Sequence, residues 1–298
     1  MKLLTFSFEG KQRVGVLDGE HIVALDIPDM KSLFELGTPV REYAEKLKTS
    51  DRYLLSEVKL KAPIIPKKFF HTAGNYKEHA QEGNSSNWVA EIRPWIVFFQ
   101  NVDAIVGPED AVIYPEHLTK ELDYELELSI VIGKAGKNFG VKEAEEYIGG
   151  YIIFNDITAR DIQREEMKSA NFSFSKAIDT FCPIGPWIVT PDEIPDPYNL
   201  ALELRVNGEK RQVSNTSHMS VSIPQILSKF SPAGYSAGDI ITTGTVSGVA
   251  AFSADPKAWY LKPGDVVEAE IEHIGVLRNH IISWQEAYGT PAPAFERW

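Results

Sequence analysis

The sequence predicts an α+β fold that is mostly β, with few short helices. Three observations predict it. In residues 122–132, Leu122, Tyr124, Leu126 and Leu128 alternate with Asp123, Glu125 and Glu127. A repeat of two is that of a strand, whose side chains point alternately to opposite faces. Other short apolar runs are bounded by turn-forming pairs such as Glu9-Gly10, Asp18-Gly19 and Asn207-Gly208. Helical spacing is confined to brief stretches, and the last third of the chain is rich in strand patterns.

Taken in order, residues 1–62 read as a small N-terminal α+β unit. Three strand-like runs are followed by a helical pattern over 30–47 and a second short one near Tyr53. Pro63, Pro66 and two lysines then read as a linker, and residues 63–298 form the larger unit. A short strand over 69–72 leads to one or two helical turns over 76–82. Gly83, Asn84, Ser85, Ser86 and Asn87 follow as loop-formers with little to bury, a mobile segment beside a polar site. Strands are expected over 96–99, 111–114 and 151–154, a short helix over 142–147, and a helix over 223–230. Asn207-Gly208 signals a hairpin, and the Gly-Asp pairs at 238–239 and 264–265 each turn the chain into a strand.

The chain has 298 residues, 43% hydrophobic and 24% charged, the composition of a soluble globular protein. Its formal charge of -12 disfavours nucleic acid and anionic membranes as partners, since neither finds a basic stripe to dock on. An anionic small molecule remains compatible, because a metal and a few cations reverse the field inside one pocket. One cysteine, Cys182, excludes an intramolecular disulfide and a cysteine-built zinc site. A reducing cytoplasm is the compartment this fits. The apolar start is broken by Glu9, Gly10 and Lys11, too soon for a signal peptide, and no run reaches membrane-spanning length.

The acidic stretch is the first candidate site. It runs into the apolar residues 129–132, so its carboxylates enter a core, where they repel each other and are costly to desolvate. Side chains at i and i+2 face the same way and share a hard cation such as Mg2+, Mn2+ or Ca2+. Asp156 ends an apolar strand, where it either caps a following helix or adds another carboxylate. His79 and Glu82 stand one helical turn apart; such a pair is either a surface contact or a carboxylate orienting an imidazole that activates water. Arg160 and Gln163 share a helical face suited to clamping a carboxylate and a carbonyl. Lys176, the single cation in a mostly apolar stretch, either snorkels to solvent or meets a buried anion. Residues 242–247, small and hydroxylic, read as a plain loop or one that wraps a ligand.

Together these motifs resemble the fumarylacetoacetate hydrolase family. The matching residues are Gly74, Asn75 and Tyr76 with His79 and Glu82; then 123–128, DYELEL; then 155–163, NDITARDIQ; then Ser175, Lys176 and Asp179; and 183–186, PIGP. Residues 206–209, Gln212 and 243–245, TGT, complete a series running from about residue 69 to 281. The resemblance implies a mixed β-roll of packed sheets behind a small N-terminal domain. It implies Mg2+ or Mn2+ held by Glu125, Glu127 and Asp156, with Arg160, Gln163, Lys176 and Thr245 on the substrate. His79 and Glu82 are implied as a catalytic dyad on a lid, and a homodimer or tetramer as the assembly. Two positions depart from the family pattern: the run after Thr245 lacks the usual proline, and Gln100 stands where a lysine is common. Both fall where substrate side groups are expected.

Chemistry and resemblance converge on a 2-oxo acid chelated by the metal, whose enolate forms as a neighbouring bond breaks. Lys176 adds positive charge to the oxyanion, and His79 with Glu82 activates water. The leading expectation is a hydrolase cleaving a C–C bond in a 2,4-diketo acid. A 2-oxo acid decarboxylase of the oxaloacetate type, or a hydratase, isomerase or sugar-acid dehydratase, uses the same constellation, so fold analogy does not choose among them. A non-catalytic binding or scaffold protein is the expectation from another class; the His79–Glu82 pair argues against it.

Overall fold

The computed structural model describes residues 1–85, 96–171 and 173–294. The expected turns break the N-terminal strands where the sequence places them: β1 (Lys2–Phe8), β2 (Lys11–Asp18) and β3 (His21–Leu25) form an antiparallel meander. The helical pattern over 30–47 divides into α1 (Met30–Glu35) and α2 (Val40–Leu47). Gly37, at φ 106°, and Pro39 end it, because a left-handed residue and a ring without N–H do not continue a helix. The short helix expected near Tyr53 is reduced to a 3-10 turn over Leu55–Glu57, and Tyr53 itself lies in β4 (Lys48–Leu54), antiparallel to β3. Tyr53 packs its ring on Phe6 and Phe8, and that tertiary contact outweighs local spacing. The linker expected at Pro63 is pinned: β5 (Lys59–Lys61) pairs with β1, Thr5 Oγ1 donates to the Pro63 carbonyl, and Ile64 is buried.

The larger part supplies β6 (Phe69–Ala73), α3 (Lys77–Ser85), β7 (Ile96–Phe99), β8 (Ile105–Val106) and β9 (Ala111–Tyr114). α3 absorbs Gly83, Asn84 and Ser85, which the sequence reading had assigned to the loop; Ser86 and Asn87 lie outside the described residues. The acidic stretch is two strands rather than one: β10 (Leu122–Asp123) and β11 (Leu126–Ile132). β12 (Ile148–Asn155), β13 (Thr158–Ala159), α4 (Arg160–Met167) and β14 (Cys182–Val189) follow. Then come β15 (Ala201–Val206), β16 (Glu209–Asn215), α5 (Ile223–Phe230), β17 (Ile240–Thr245), β18 (Val266–Ile271) and β19 (Gly275–Ser283). The β15–β16 turn places Asn207 at φ 53° and Gly208 at φ 79°, the left-handed pair that Asn-Gly accommodates in a two-residue hairpin.

Among the described residues two sheets carry the architecture. One runs β4-β3-β2-β1-β14-β12-β11-β17-β6-β7, and the other β16-β15-β18-β19-β9. Leu128, Ile130, Leu202, Leu204, Val267 and Ala269 belong to a single buried cluster between them. β1 continues the first sheet by pairing with β14, Lys2 opposite Val189. Leu3, Val14, Val16 and Phe34 share a second buried cluster with Phe69, Val131, Ile152, Phe154 and Ile188. The expected mostly β fold is what the chain adopts.

Candidate metal and enolate site

Four neighbouring strands bring the site together. β12 pairs with β11, and β11 with β17, which runs parallel to β6. Glu127 enters from β11 and Asp156 from just beyond β12. His71 enters from β6. Ligand atoms of His71, Glu127 and Asp156 lie within 4.8 Å of one another, and all three residues are buried. Glu125 sits in the break between β10 and β11. Its backbone N–H donates to Asn155 Oδ1 (3.1 Å), and its carbonyl accepts from Asp156 N (2.8 Å). Those two bonds place the Glu125 and Asp156 carboxylates side by side.

Lys176 meets buried anions rather than snorkelling. Its Nζ donates to Asp156 Oδ2, to Glu125 Oε2 (3.0 Å) and to Thr158 Oγ1 (2.8 Å). Asp156 caps no helix, because α4 begins at Arg160 with Ala159 before it. Arg160 Nη2 lies 2.6 Å from Glu125 Oε1, and its Nη1 donates to Gln163 Oε1 (2.9 Å). The shared face of Arg160 and Gln163 is therefore real, and it is turned inward.

Asp123 does not join its neighbours around a cation. Its carboxylate accepts from Arg160 Nε (2.8 Å) and from the backbone N–H groups of Ala250 and Ala251 (both 2.9 Å). The reason is the strand break at Tyr124–Glu125, which interrupts the alternation that would have aligned three carboxylates. Residues 242–245 are strand, not loop, and their hydroxyls serve the fold. Thr243 Oγ1 donates to the Leu128 carbonyl and Thr245 Oγ1 to the Leu126 carbonyl. Gln212 Nε2 donates to Thr245 Oγ1 (3.1 Å) while Gln212 Oε1 accepts from Leu126 N (2.8 Å), tying the second sheet to the acidic strand.

His71, Glu125, Glu127, Arg160, Gln163 and Lys176 line one narrow cleft, shared with His79, Phe98, Thr245 and Phe252. His79 reaches it from α3, with Nδ1 3.5 Å from Glu82 Oε2. The Glu82 carboxylate in turn accepts from the Gly248 N–H (2.9 Å). His71 is the site residue that the sequence reading missed. Its only signal was a polar residue inside an apolar strand pattern, FFHTA.

Charge in this cleft is unbalanced. Asp123, Glu125, Glu127 and Asp156 are each no more than 5% exposed, and two permanent cations, Arg160 and Lys176, are equally buried. If every carboxylate ionises, two negative charges remain. Burial pushes the Glu127 carboxyl up, and the like charges of Asp156 and Glu125 push it further, against the pull of His71 and Lys176. Burial also disfavours the ionised form of Asp156, but His71 and Lys176 outweigh it and hold Asp156 low. The His71 imidazole is opposed by burial, yet Asp156 and Glu127 raise it. The upward shifts of Glu127 and His71 thus favour protons where a divalent cation's two charges would serve. Asp156 Oδ1 is buried without a hydrogen-bond partner among the described residues. The donor set, the charge excess and this unpaired oxygen fit a divalent metal site.

Comparison with known proteins agrees with this geometry. The family model for the fumarylacetoacetate (FAA) hydrolase C-terminal region matches residues 68–282. The chain belongs to the fumarylacetoacetate hydrolase family. Within that family it is 39% identical to the oxaloacetate tautomerase YisK of Bacillus subtilis, over 94% of this chain and 100% of the relative. It is 36% identical to the mitochondrial oxaloacetate tautomerase fahd2 of Xenopus laevis, over 95% of this chain and 90% of the relative. Its structure is similar to that of a maleylpyruvate hydrolase from Sphingobium sp. SYK-6 in complex with manganese (II) ion and pyruvate, at 28% identity and a TM-score of 0.74, covering 95% of this chain and 99% of that one. The family therefore includes tautomerases and hydrolases on one fold. No helix among the described residues is long and apolar enough to cross a membrane.

Proposed function

We propose that this chain interconverts the keto and enol forms of an oxaloacetate-like 2-oxo acid. The observation that carries the reading is the charge imbalance: four buried carboxylates against two buried cations, beside a cleft that Glu125, Glu127 and His79 line. Glu125, Glu127 and Asp156 are the residues that would hold Mg2+ or Mn2+. Bound there, the cation would supply Lewis-acid polarisation of a substrate keto oxygen.

The chain's own groups do the rest. Lys176 and Arg160 supply fixed positive charge beside the carboxylates, in a setting where water screens it little. Glu82, held by the Gly248 N–H, stands 3.5 Å from His79 Nδ1. His79 is the base that removes a proton from the carbon beside the keto group, and it returns one in the reverse direction. Gln163 fixes the Arg160 guanidinium from the opposite side of its Asp123 contact. The similarity over nearly the whole chain to oxaloacetate tautomerases supports this substrate class.

A second reading, hydrolysis of a C–C bond in an acylpyruvate, is favoured by the same His79–Glu82 pair, which is equally suited to deprotonating water. The two separate in one experiment. Purified protein with Mg2+ or Mn2+ is given oxaloacetate, with enol absorbance followed, and separately acetylpyruvate, with pyruvate release followed. Accelerated loss of enol signal without pyruvate release from acetylpyruvate is the expected result. Pyruvate and acetate from acetylpyruvate would replace the tautomerase reading with the hydrolase one. CO2 from oxaloacetate above the metal-only background would replace it with decarboxylation.

A further inference from the structure

Resting on the reading of this cleft as a metal site, we propose that His71 is a direct nitrogen ligand of that metal. It would complete a mixed set with Glu127 and Asp156 that favours Mn2+, Fe2+ or Co2+ over Mg2+. The position is unusual for an imidazole. β6 is a central strand, flanked by β17 and β7, and His71 stands opposite Phe98 in the β6–β7 register. The residue is 1% exposed. Its ring is stacked on Phe98 at 4.4 Å and meets Phe154 edge-on at 5.2 Å. An apolar side chain would fill this slot at no polar cost, so an imidazole here needs a partner that repays its desolvation.

The protein offers only an incomplete one. His71 Nε2 lies 3.1 Å from Asp156 Oδ2, but neither ring nitrogen makes a well-aligned hydrogen bond among the described residues. Asp156 Oδ1 is also buried without a partner. The imidazole, the free Asp156 Oδ1 and the Glu127 carboxylate thus converge, with ligand atoms of the three residues within 4.8 Å of one another. That spacing is what three ligands of one cation require, each about 2.0–2.3 Å from it. The aromatic rings leave the imidazole few alternative orientations. Glu125 is the carboxylate most engaged by protein cations, through Arg160 and Lys176. His71 would thus add a nitrogen donor to the carboxylates of Glu125, Glu127 and Asp156. Oxygen-only sites suit Mg2+, whereas an imidazole ligand shifts preference toward transition metals.

The test uses the full chain loaded with Mn2+ and read by pulsed electron paramagnetic resonance, where a directly bonded histidine nitrogen gives a resolved hyperfine coupling. The coupling is expected in the wild type, in His79→Ala, and with an altered pattern when histidine carries the heavier nitrogen isotope. It is expected to vanish in His71→Leu. Calorimetric titration is expected to show Mn2+ affinity falling about tenfold or more in that variant, with a smaller loss for Mg2+. If His71→Leu fails to fold, by circular dichroism, His71→Asn takes its place. Mn2+ bound with no nitrogen coupling, or a coupling lost in His79→Ala and kept in the His71 variants, overturns the assignment and leaves the metal reading standing. Failure of the wild type to bind Mn2+ overturns both.

Discussion

Glu127 has the clearest linkage between protons and metal. Burial and two neighbouring carboxylates raise its carboxyl above the usual carboxylate range. The metal-free folded chain therefore keeps a proton that the unfolded chain loses, and its stability falls as pH rises across that interval. Asp156 acts oppositely: held low, it contributes stability present above the ordinary carboxylate range and lost as pH falls through its own value. A cation displaces the Glu127 proton, so metal affinity is expected to rise with pH by up to about tenfold per unit for each proton released. Titration calorimetry in buffers of different ionisation enthalpy measures this directly. Glu127→Gln is expected to abolish tight metal binding with the fold retained; unchanged affinity would remove Glu127 from the site. Asp123 makes a different prediction. It binds Arg160 Nε and two backbone N–H groups at full burial. Asp123→Ala removes one of the two carboxylates on buried Arg160 and leaves two backbone N–H groups without their acceptor, and it is expected to lower stability by roughly 3 kcal/mol, read by denaturant unfolding.

At the scale of elements, α3, which carries His79, is held by two of its carboxylates. Glu82 accepts from the Gly248 N–H, and Glu78 accepts from Ser214 Oγ and contacts His218 Nδ1 (2.9 Å) on the β16 side. Burial opposes Glu78 ionisation, but Ser214 and His218 outweigh it and hold its carboxyl low. The contact is partly solvent-exposed, so its contribution to global stability is small. Its role is to fix where α3 sits. Glu78→Ala is expected to raise KM several-fold and speed amide hydrogen exchange over residues 77–85, with the unfolding midpoint nearly unchanged. Unchanged exchange would show that Glu82 alone suffices to place the helix.

For the whole molecule, the question is whether residues 1–62 stand apart. β1 adds an edge to β14, and the side chains of β1, β2 and α1 share a buried cluster with β11, β12 and β14. Removing residues 1–62 would uncover that apolar surface and leave the Ile188–Val189 end of β14 without its β1 partner. The shortened chain is expected to lose its cooperative thermal transition or to aggregate. A sharp, reversible transition from residues 63–298 alone would make the larger unit self-sufficient.

The sequence by itself determined the strand-rich class, the hairpins and most element positions, because period-two alternation and Asn-Gly or Gly-Asp turns are local signals that tertiary packing reinforces. It also marked Glu125, Glu127, Asp156, Arg160, Gln163, Lys176, His79 and Glu82, all of which the fold brings to one cleft or its wall. Tertiary structure decided the rest. It set Tyr53 in a strand, its ring on Phe6 and Phe8, and left only a 3-10 turn over Leu55–Glu57 of the helical pattern there. It broke the acidic stretch and sent Asp123 to Arg160 instead of to its neighbours. It spent the hydroxyls of Thr243 and Thr245 on backbone carbonyls. It also carried His71, far from every acidic motif in the chain, to within 3.1 Å of Asp156. No local pattern encodes such a meeting, because it depends on how the sheet brings β6 and the chain just beyond β12 together across the two strands, β11 and β17, that separate them.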